Sequence, residues 1–326
     1  MPAADDAGLI LLIHHGETEW VFDAQYKRRR ASGFAVHMSR DKGSCAFATR
    51  DFAVGETLLA ELPLFRWPRE EPMTRENLEP VLLRILRHLT PWRVAAYTSL
   101  SQASIHASGQ WRQQTPTGIW LTNALPSGAG GEAACYEDAC RINHACCPNL
   151  CHDFDENTGT QTMFAVQPIK AGEELTIDYC GQAAPRHMRQ AALATTFGFE
   201  CTCTLCSLES SALGLSDMRQ TKLAELRALI GSGQLEGTEL VTAIEERGLL
   251  LRREGLPAPW AQPELLVAFQ HFETRGEYRQ AAKWARRAAE CARVALGATS
   301  QRSRQLAELT ALMEKKAGID SQTYTF

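Results

Sequence analysis

Arg141-Ile142-Asn143-His144-Ala145-Cys146-Cys147-Pro148-Asn149 is the stretch on which the reading of the fold turns. It packs an Asn-His pair, two adjacent thiols and a proline into a short span, a composition suited to a tight polar loop. Alone it decides little, because such a pair is more often a satisfied loop hydrogen bond than a site. Two segments downstream give it context. Gly172-Glu173-Glu174-Leu175-Thr176-Ile177-Asp178-Tyr179 follows a β-run and ends at a tyrosine. Phe197-Gly198-Phe199-Glu200-Cys201-Thr202-Cys203-Thr204-Leu205-Cys206 supplies three thiolates as C-x-C-x-x-C, one ligand short of a tetrahedral Zn2+ site.

The chain has 326 residues, a length that suggests two domains. Of its 11 cysteines most fall between Cys135 and Cys206, a clustering that points to metal more than to disulfides in a reducing compartment. A net charge of −4 and a pI near 6.2 supply no global positive field, so direct nucleic-acid binding is not expected. The apolar run Leu9 to Ile13 follows Asp5 and Asp6 and is too short for a signal-peptide core or a membrane span. No membrane association is expected, and the expected location is nucleus and/or cytoplasm.

Outward from these segments the pattern alternates between regimes. Residues 44–62 read as two short strands around a turn at Val54-Gly55-Glu56. Residues 75–114 switch to helical spacing, with Leu78, Leu82, Ile85, Leu86 and Leu89 on one face and Pro91 stopping the run. β character returns at Gly118-Ile119-Trp120-Leu121-Thr122-Asn123, then a Gly/Ser-rich turn from Pro126 to Gly131, then strands at Thr162–Val166 and Glu174–Tyr179. After Cys206 come amphipathic helices at 217–230, 238–254, 264–275, 277–296 and 300–316, with Gly231, Gly255, Gly276, Gly297 and Gly318 at their C-terminal ends. The alanines from Ala281 to Ala292 after Gly276-Glu277-Tyr278 resemble one tetratricopeptide-type hairpin.

In this order and spacing the three segments resemble the SET-domain family of protein lysine methyltransferases. Its N-H-x-C-x-P-N motif stands as Asn143 to Asn149, its E-L-x-x-D-Y strand as Glu174 to Tyr179, and its post-SET cysteines as Cys201, Cys203 and Cys206. Lys42-Gly43-Ser44-Cys45-Ala46-Phe47-Ala48 looks like the opening G-x-G strand. The helical insertion and helical C-terminus resemble the SMYD-like branch, without the cysteine series of a MYND module. The fold class so implied is a mostly β SET domain with a helical insertion and a small post-SET zinc segment, followed by an all-α, TPR-like C-terminal domain. The divisions are 1–32 (extension), 33–74 and 117–184 (SET domain), 75–116 (insertion), 185–210 (post-SET segment) and 211–326 (helical domain).

The resemblance implies S-adenosyl-L-methionine as methyl donor and a protein substrate with an accessible lysine, histone or non-histone. It assigns Tyr179 to catalysis, where the hydroxyl would orient the target amine. It assigns Gly43, Asn123, Asn143, His144 and Phe199 to the cofactor, with core packing the competing reading of Phe199. It assigns Cys146 as the fourth ligand beside Cys201, Cys203 and Cys206 of a structural Zn2+, the family's spacing favouring Cys146 over Cys147. The family's second opening glycine is replaced by Cys45, whose side chain would crowd a cofactor. That substitution keeps a second expectation in view, a catalytically weak or inactive module serving as an interaction scaffold. Separately, Leu11 to Thr18 resembles the histidine-phosphatase signature, but His14 holds the place of its phosphate-binding arginine and no matching domain follows, so no chemistry is expected there.

Overall fold

The computed structural model describes residues 8–14, 17–23, 33–39, 42–67, 72–74, 76–103, 114–128, 132–181, 183–298 and 300–319. His15, Gly16 and the basic run Lys27, Arg28, Arg29 and Arg30 lie outside the described residues. The chain begins with the hairpin β1 (Gly8–His14) and β2 (Glu17–Asp23). Next come β3 (Phe34–Ser39), β4 (Gly43–Ala48), β5 (Thr57–Glu61) and β6 (Phe65–Arg66). The insertion is α1 (Leu78–His88), α2 (Pro91–Thr98) and α3 (Pro116–Asn123). The β region resumes with β7 (Leu125–Pro126), β8 (Ala133–Cys135), β9 (Asn143–His144), β10 (Leu150–Asp155), β11 (Thr160–Ala165) and β12 (Thr176–Ile177). Helices α4 (Arg186–Phe197), α5 (Ser210–Gly231), α6 (Gly237–Arg253), α7 (Gln262–Thr274), α8 (Tyr278–Leu296) and α9 (Gln301–Lys316) follow.

The β region is a set of small sheets. β3 pairs antiparallel with β4, β11 pairs antiparallel with both β10 and β5, and β8 lies between β6 and β7. β9 and β12 pair in parallel, Asn143 opposite Thr176 and His144 opposite Ile177. The expected strand at Glu174–Tyr179 is thus regular only at its centre. Its start joins β4 instead, through a bridge between Glu174 and Phe47 and a bond from the Leu175 N–H to the Ala46 carbonyl at 2.8 Å. Ala46, Leu58, Tyr136, Ile142, Leu150, Met163, Leu175 and Ile177 form the core beneath.

One expectation is overturned. Gly118–Asn123 is not a strand but most of α3. Thr115 caps the helix, its hydroxyl accepting from the Gly118 N–H at 3.0 Å, and Pro116 occupies the first turn, where its missing N–H does no harm. Ile119, Trp120 and Asn123 are all buried while Leu121 is exposed, a distribution that period-2 alternation would not produce. Trp120 stacks on Phe65 at 5.4 Å and anchors the insertion to the sheet beside it. Pro91 ends α1, as expected, and also starts α2. Gly231 lies within the last turn of α5, and the left-handed glycine after that helix is Gly233, with φ 70°.

Among the C-terminal helices α8 is central, packing on α7 and α9 through fully buried Ala281, Ala282, Ala285 and Ala288. The small side chains permit the close approach. This core does not stop at the helices, because Phe164 of β11 is part of it. The turn at Gly55 (φ 79°) also touches the end of α8: a Cβ there would meet the Val294 carbonyl oxygen at 2.7 Å, and one on Gly297 would meet the Gly55 oxygen at 2.9 Å. No helix among the described residues is long and apolar enough to cross a membrane.

Candidate active site and metal centre

Asn143 and His144 lie on β9, where pairing with β12 brings them beside Tyr179. The Asn143 amide nitrogen donates to the Ser44 carbonyl at 2.9 Å and to Glu174 Oε1 at 3.1 Å, and it sits 3.2 Å from Cys45 Sγ. Glu174 Oε2 in turn pairs with Lys42 Nζ at 2.7 Å. Gly43, with φ 72°, turns the chain into β4 at this cluster. Asn149, which carried no role at the sequence level, staples the loop to the strand: it donates to the Glu174 carbonyl and accepts from the Thr176 N–H, both at 2.8 Å.

The His144 imidazole is fully buried, and both of its nitrogens are engaged. Nδ1 accepts the Tyr179 backbone N–H at 3.0 Å, so the ring proton resides on Nε2, which donates to Cys146 Sγ at 3.2 Å. Burial pushes the His144 pKa down to about 4, and the ring is neutral at physiological pH. Asp178 Oδ1 lies 3.7 Å away and accepts from the Cys180 N–H, while Oδ2 accepts from the Gly181 N–H.

The Tyr179 hydroxyl donates to the Ile142 carbonyl at 2.8 Å. Its ring is 4.8 Å from Phe197 and 5.4 Å from His144. Burial raises the phenol above its ordinary pKa, which removes it as a base near neutrality. A cavity of about 270 Å³ opens on this tyrosine, walled by Phe197, Ile142, Cys140, Asp178 and Asn123. Asn123 spends its amide nitrogen on the Ile119 carbonyl at 2.7 Å and the Ser101 carbonyl at 2.6 Å. It thus lines the Tyr179 cavity while bonded to Ser101, whose hydroxyl lies beside Gly43. Phe199 lies 6.2 Å from His144 and 6.5 Å from Phe197, half-buried at the edge of the cysteine cluster.

Cys146, Cys201, Cys203 and Cys206 converge, their sulfurs all within 4.8 Å of one another. Cys146 Sγ lies 3.5 Å from Cys206 Sγ and 4.0 Å from Cys201 Sγ. Four thiolates on one tetrahedral Zn2+ stand roughly 3.8 Å apart, so the set fits that ion and leaves no position for water. Cys147 turns the other way and donates to the Gly255 carbonyl at 3.0 Å. Two α4 residues not singled out from sequence complete the centre. Gln190 forms a reciprocal pair with the Cys201 backbone, both bonds 2.7 Å, and Arg189, 3% exposed, places Nη2 3.5 Å from Cys206 Sγ. A guanidinium and an imidazole N–H beside four sulfurs offset the net negative charge that a tetrathiolate zinc centre would carry.

Residues 43–180 match the family described as "SET domain". The chain is similar to the Histone-lysine N-methyltransferase set5 of Schizosaccharomyces pombe, 29% identical over 185 residues that cover 56% of this chain and 54% of that protein. It is also similar to the Protein-lysine N-trimethyltransferase SMYD5 of Mus musculus, 37% identical over 101 residues, 30% of this chain and 23% of the relative. The Histone-lysine N-methyltransferase ATXR2 of Arabidopsis thaliana is 33% identical over 90 residues, 24% of this chain and 19% of that protein. The chain thus spans about half the length of the first of these relatives and less of the others. Its Asn143–Asn149 loop, Glu174–Tyr179 strand and opening strand at Gly43 all lie within the matched span, and residues 43–180 of the chain are a SET domain.

Proposed function

We propose that this protein transfers a methyl group from S-adenosyl-L-methionine to lysine side chains of a protein substrate. The observation that carries the proposal is the Tyr179 hydroxyl, held at 2.8 Å on the Ile142 carbonyl, in a small cavity lined by Phe197. A cavity of this size has room for a linear alkylamine, and its apolar wall weakens the hold of a proton on the amine. Transfer from a sulfonium to an amine is an in-line displacement, so positioning supplies most of the acceleration. Tyr179 would orient the amine lone pair and would not remove its proton.

The cofactor supplies an activated methyl group when bound. Gly43, Asn143, His144 and Phe199 are the residues proposed to hold it, Asn143 through its amide and His144 through its backbone, since its ring is already committed to Tyr179 and Cys146. Asn123 is proposed as a cofactor contact through its carbonyl oxygen. The four-cysteine cluster is proposed as a structural Zn2+ site that fixes Phe199 and the segment before it. Reduced thiols are what that centre requires, in keeping with a nuclear and/or cytoplasmic location. One observation favours a second reading, a weak or inactive module acting as a scaffold: Cys45 fills the opening strand, 2% exposed, with its sulfur against Asn143.

Zinc-loaded protein incubated with tritiated S-adenosyl-L-methionine and histone or lysate proteins is expected to label lysines. Tyr179→Phe should cut that transfer on the order of 10²-fold while the chain stays folded, its melting temperature lowered by the unpaired Ile142 carbonyl. Calorimetry that detects no cofactor binding by zinc-loaded protein would overturn the enzyme reading in favour of the scaffold.

A further inference from the structure

β5 ends at Glu61, a residue outside the family motifs, and its carboxyl group faces the stretch between β8 and β9. Oε1 accepts the backbone N–H of Glu137 at 2.7 Å and that of Asp138 at 3.1 Å. Oε2 accepts the Ala139 N–H at 3.0 Å and shares the Asp138 N–H at 3.2 Å. Three consecutive amides thus point at one side chain from a distant strand. Such a fan of N–H groups is the open start of a helical turn, here the 3-10 turn Ala139–Arg141. Asp138 stands at the cap position, yet its side chain makes no capping bond, and Glu61 supplies the acceptors instead.

This turn leads directly into the site. Ala139, Cys140 and Ile142 line the Tyr179 cavity, and the Ile142 carbonyl accepts the Tyr179 hydroxyl. The Ile142 N–H donates back to the Ala139 carbonyl at 3.3 Å. The residue that Glu61 holds and the residue that Tyr179 addresses therefore belong to one hydrogen-bonded turn. A hydroxyl has one proton to donate, so the position of the Ile142 carbonyl fixes where the lone pairs of the Tyr179 oxygen face. At the other end Glu61 is fixed by β5 itself, paired with β11, Glu61 opposite Gln161. Other bonds tie the turn to the helical insertion: Arg141 Nη2 donates to Ser99 Oγ at 2.7 Å, and Cys140 Sγ to the Asn123 carbonyl at 3.1 Å.

We propose that Glu61 is a positioning residue for methyl transfer, setting one wall of the Tyr179 cavity and, through Ile142, the orientation of the Tyr179 hydroxyl toward the target amine. The proposal rests on the methyl-transfer reading above. An in-line displacement is sensitive to small misplacement of the nucleophile, so the anchor of this wall acts on turnover more than on binding of the methyl donor.

Glu61→Gln keeps the shape of the side chain but turns one acceptor oxygen into an amide nitrogen facing backbone donors. Assays belong at about pH 9, above the value of about 8 to which burial pushes the Glu61 carboxyl, where the wild type presents two acceptor oxygens. Per folded molecule, kcat on a lysine peptide should fall about tenfold while the calorimetric affinity for S-adenosyl-L-methionine stays within about twofold. Loss of folded protein alone would lower neither quantity per folded molecule. Should Glu61→Gln yield no folded protein, Glu61→Asp, with two oxygens on a shorter stem, is read in the same way. Unchanged kcat per folded molecule, or equal losses in kcat and in cofactor affinity, would overturn the proposal and leave the methyl-transfer reading intact. Absence of transfer by the wild type would overturn that reading and this proposal with it.

Discussion

The backbone N–H of Tyr179 and the Nδ1 of His144 are 3.0 Å apart, and the opposite nitrogen of the same imidazole touches Cys146 Sγ. One buried ring therefore links the cysteine cluster to the strand that presents the tyrosine. His144→Ala would leave the Tyr179 N–H without its acceptor, a loss of about 1–3 kcal/mol. The expected outcome is a lowered melting temperature together with a fall in kcat on the order of 10²-fold that exceeds the change in cofactor affinity. Stopped turnover assays beside calorimetry would show the split. Equal losses in kcat and in cofactor affinity would assign His144 to binding alone.

Cys203→Ser should reduce bound zinc from about one per chain, as read by elemental analysis, because a serine hydroxyl cannot replace a thiolate in a closed tetrathiolate site. Metal binding in such a site is folding free energy, so chelation of the wild type should mimic the substitution. Limited proteolysis should then open the chain between Gly198 and Leu208, the segment that the cluster holds. Undiminished zinc in the variant would remove Cys203 from the centre.

Cys45→Gly tests the departure in the opening strand. Removing the sulfur clears the space beside Asn143, so cofactor affinity should rise about tenfold by calorimetry. A glycine inside β4 should also cost about 0.5–1 kcal/mol of stability, visible as a small fall in the denaturant midpoint. Unchanged affinity would mean that the side chain does not reach the cofactor.

His152, on the wall of the Tyr179 cavity, accepts at Nδ1 from the Gln161 amide nitrogen at 2.6 Å, and burial pushes its pKa down to about 4 from 6.5. The folded protein resists a proton that the unfolded chain accepts. Its contribution is therefore complete above pH 6.5 and is lost as pH falls from 6.5 towards 4, by at most about 3 kcal/mol. His152→Gln keeps a hydrogen-bonding group for Gln161 and removes the titration. Urea midpoints should fall less steeply between pH 7 and 5 in the variant, and parallel curves would exclude His152 as the source.

The residues of the candidate site stood out in the sequence because they are of types that have few other uses. Thiols at C-x-C-x-x-C, an Asn-His pair before a cysteine and a tyrosine ending a strand announce themselves without a structure. The helices after residue 210 were legible from period alone. α3 was not, because Ile119-Trp120-Leu121 has the β-formers of a strand, and what decides its state is the cap at Thr115 and the packing of Trp120 on Phe65. Arg189 was hidden for another reason: an arginine in a polar helix reads as solvated until the fold buries it against Cys206. Asn149 belonged to the motif, yet its two bonds run to Glu174 and Thr176, partners that sequence order does not reveal.

The contact of Gly55 with the end of α8, and the sharing of Phe164 by β11 and the helical core, bear on how much chain the site needs. Two backbones meet there with no side chain between them, so no surface exists along which the regions could be parted and rewetted without loss. A shortened chain ending near residue 210 would present Phe164 and half of a close-packed joint to water. The helices are accordingly as much a wall of the β region as an addition to it.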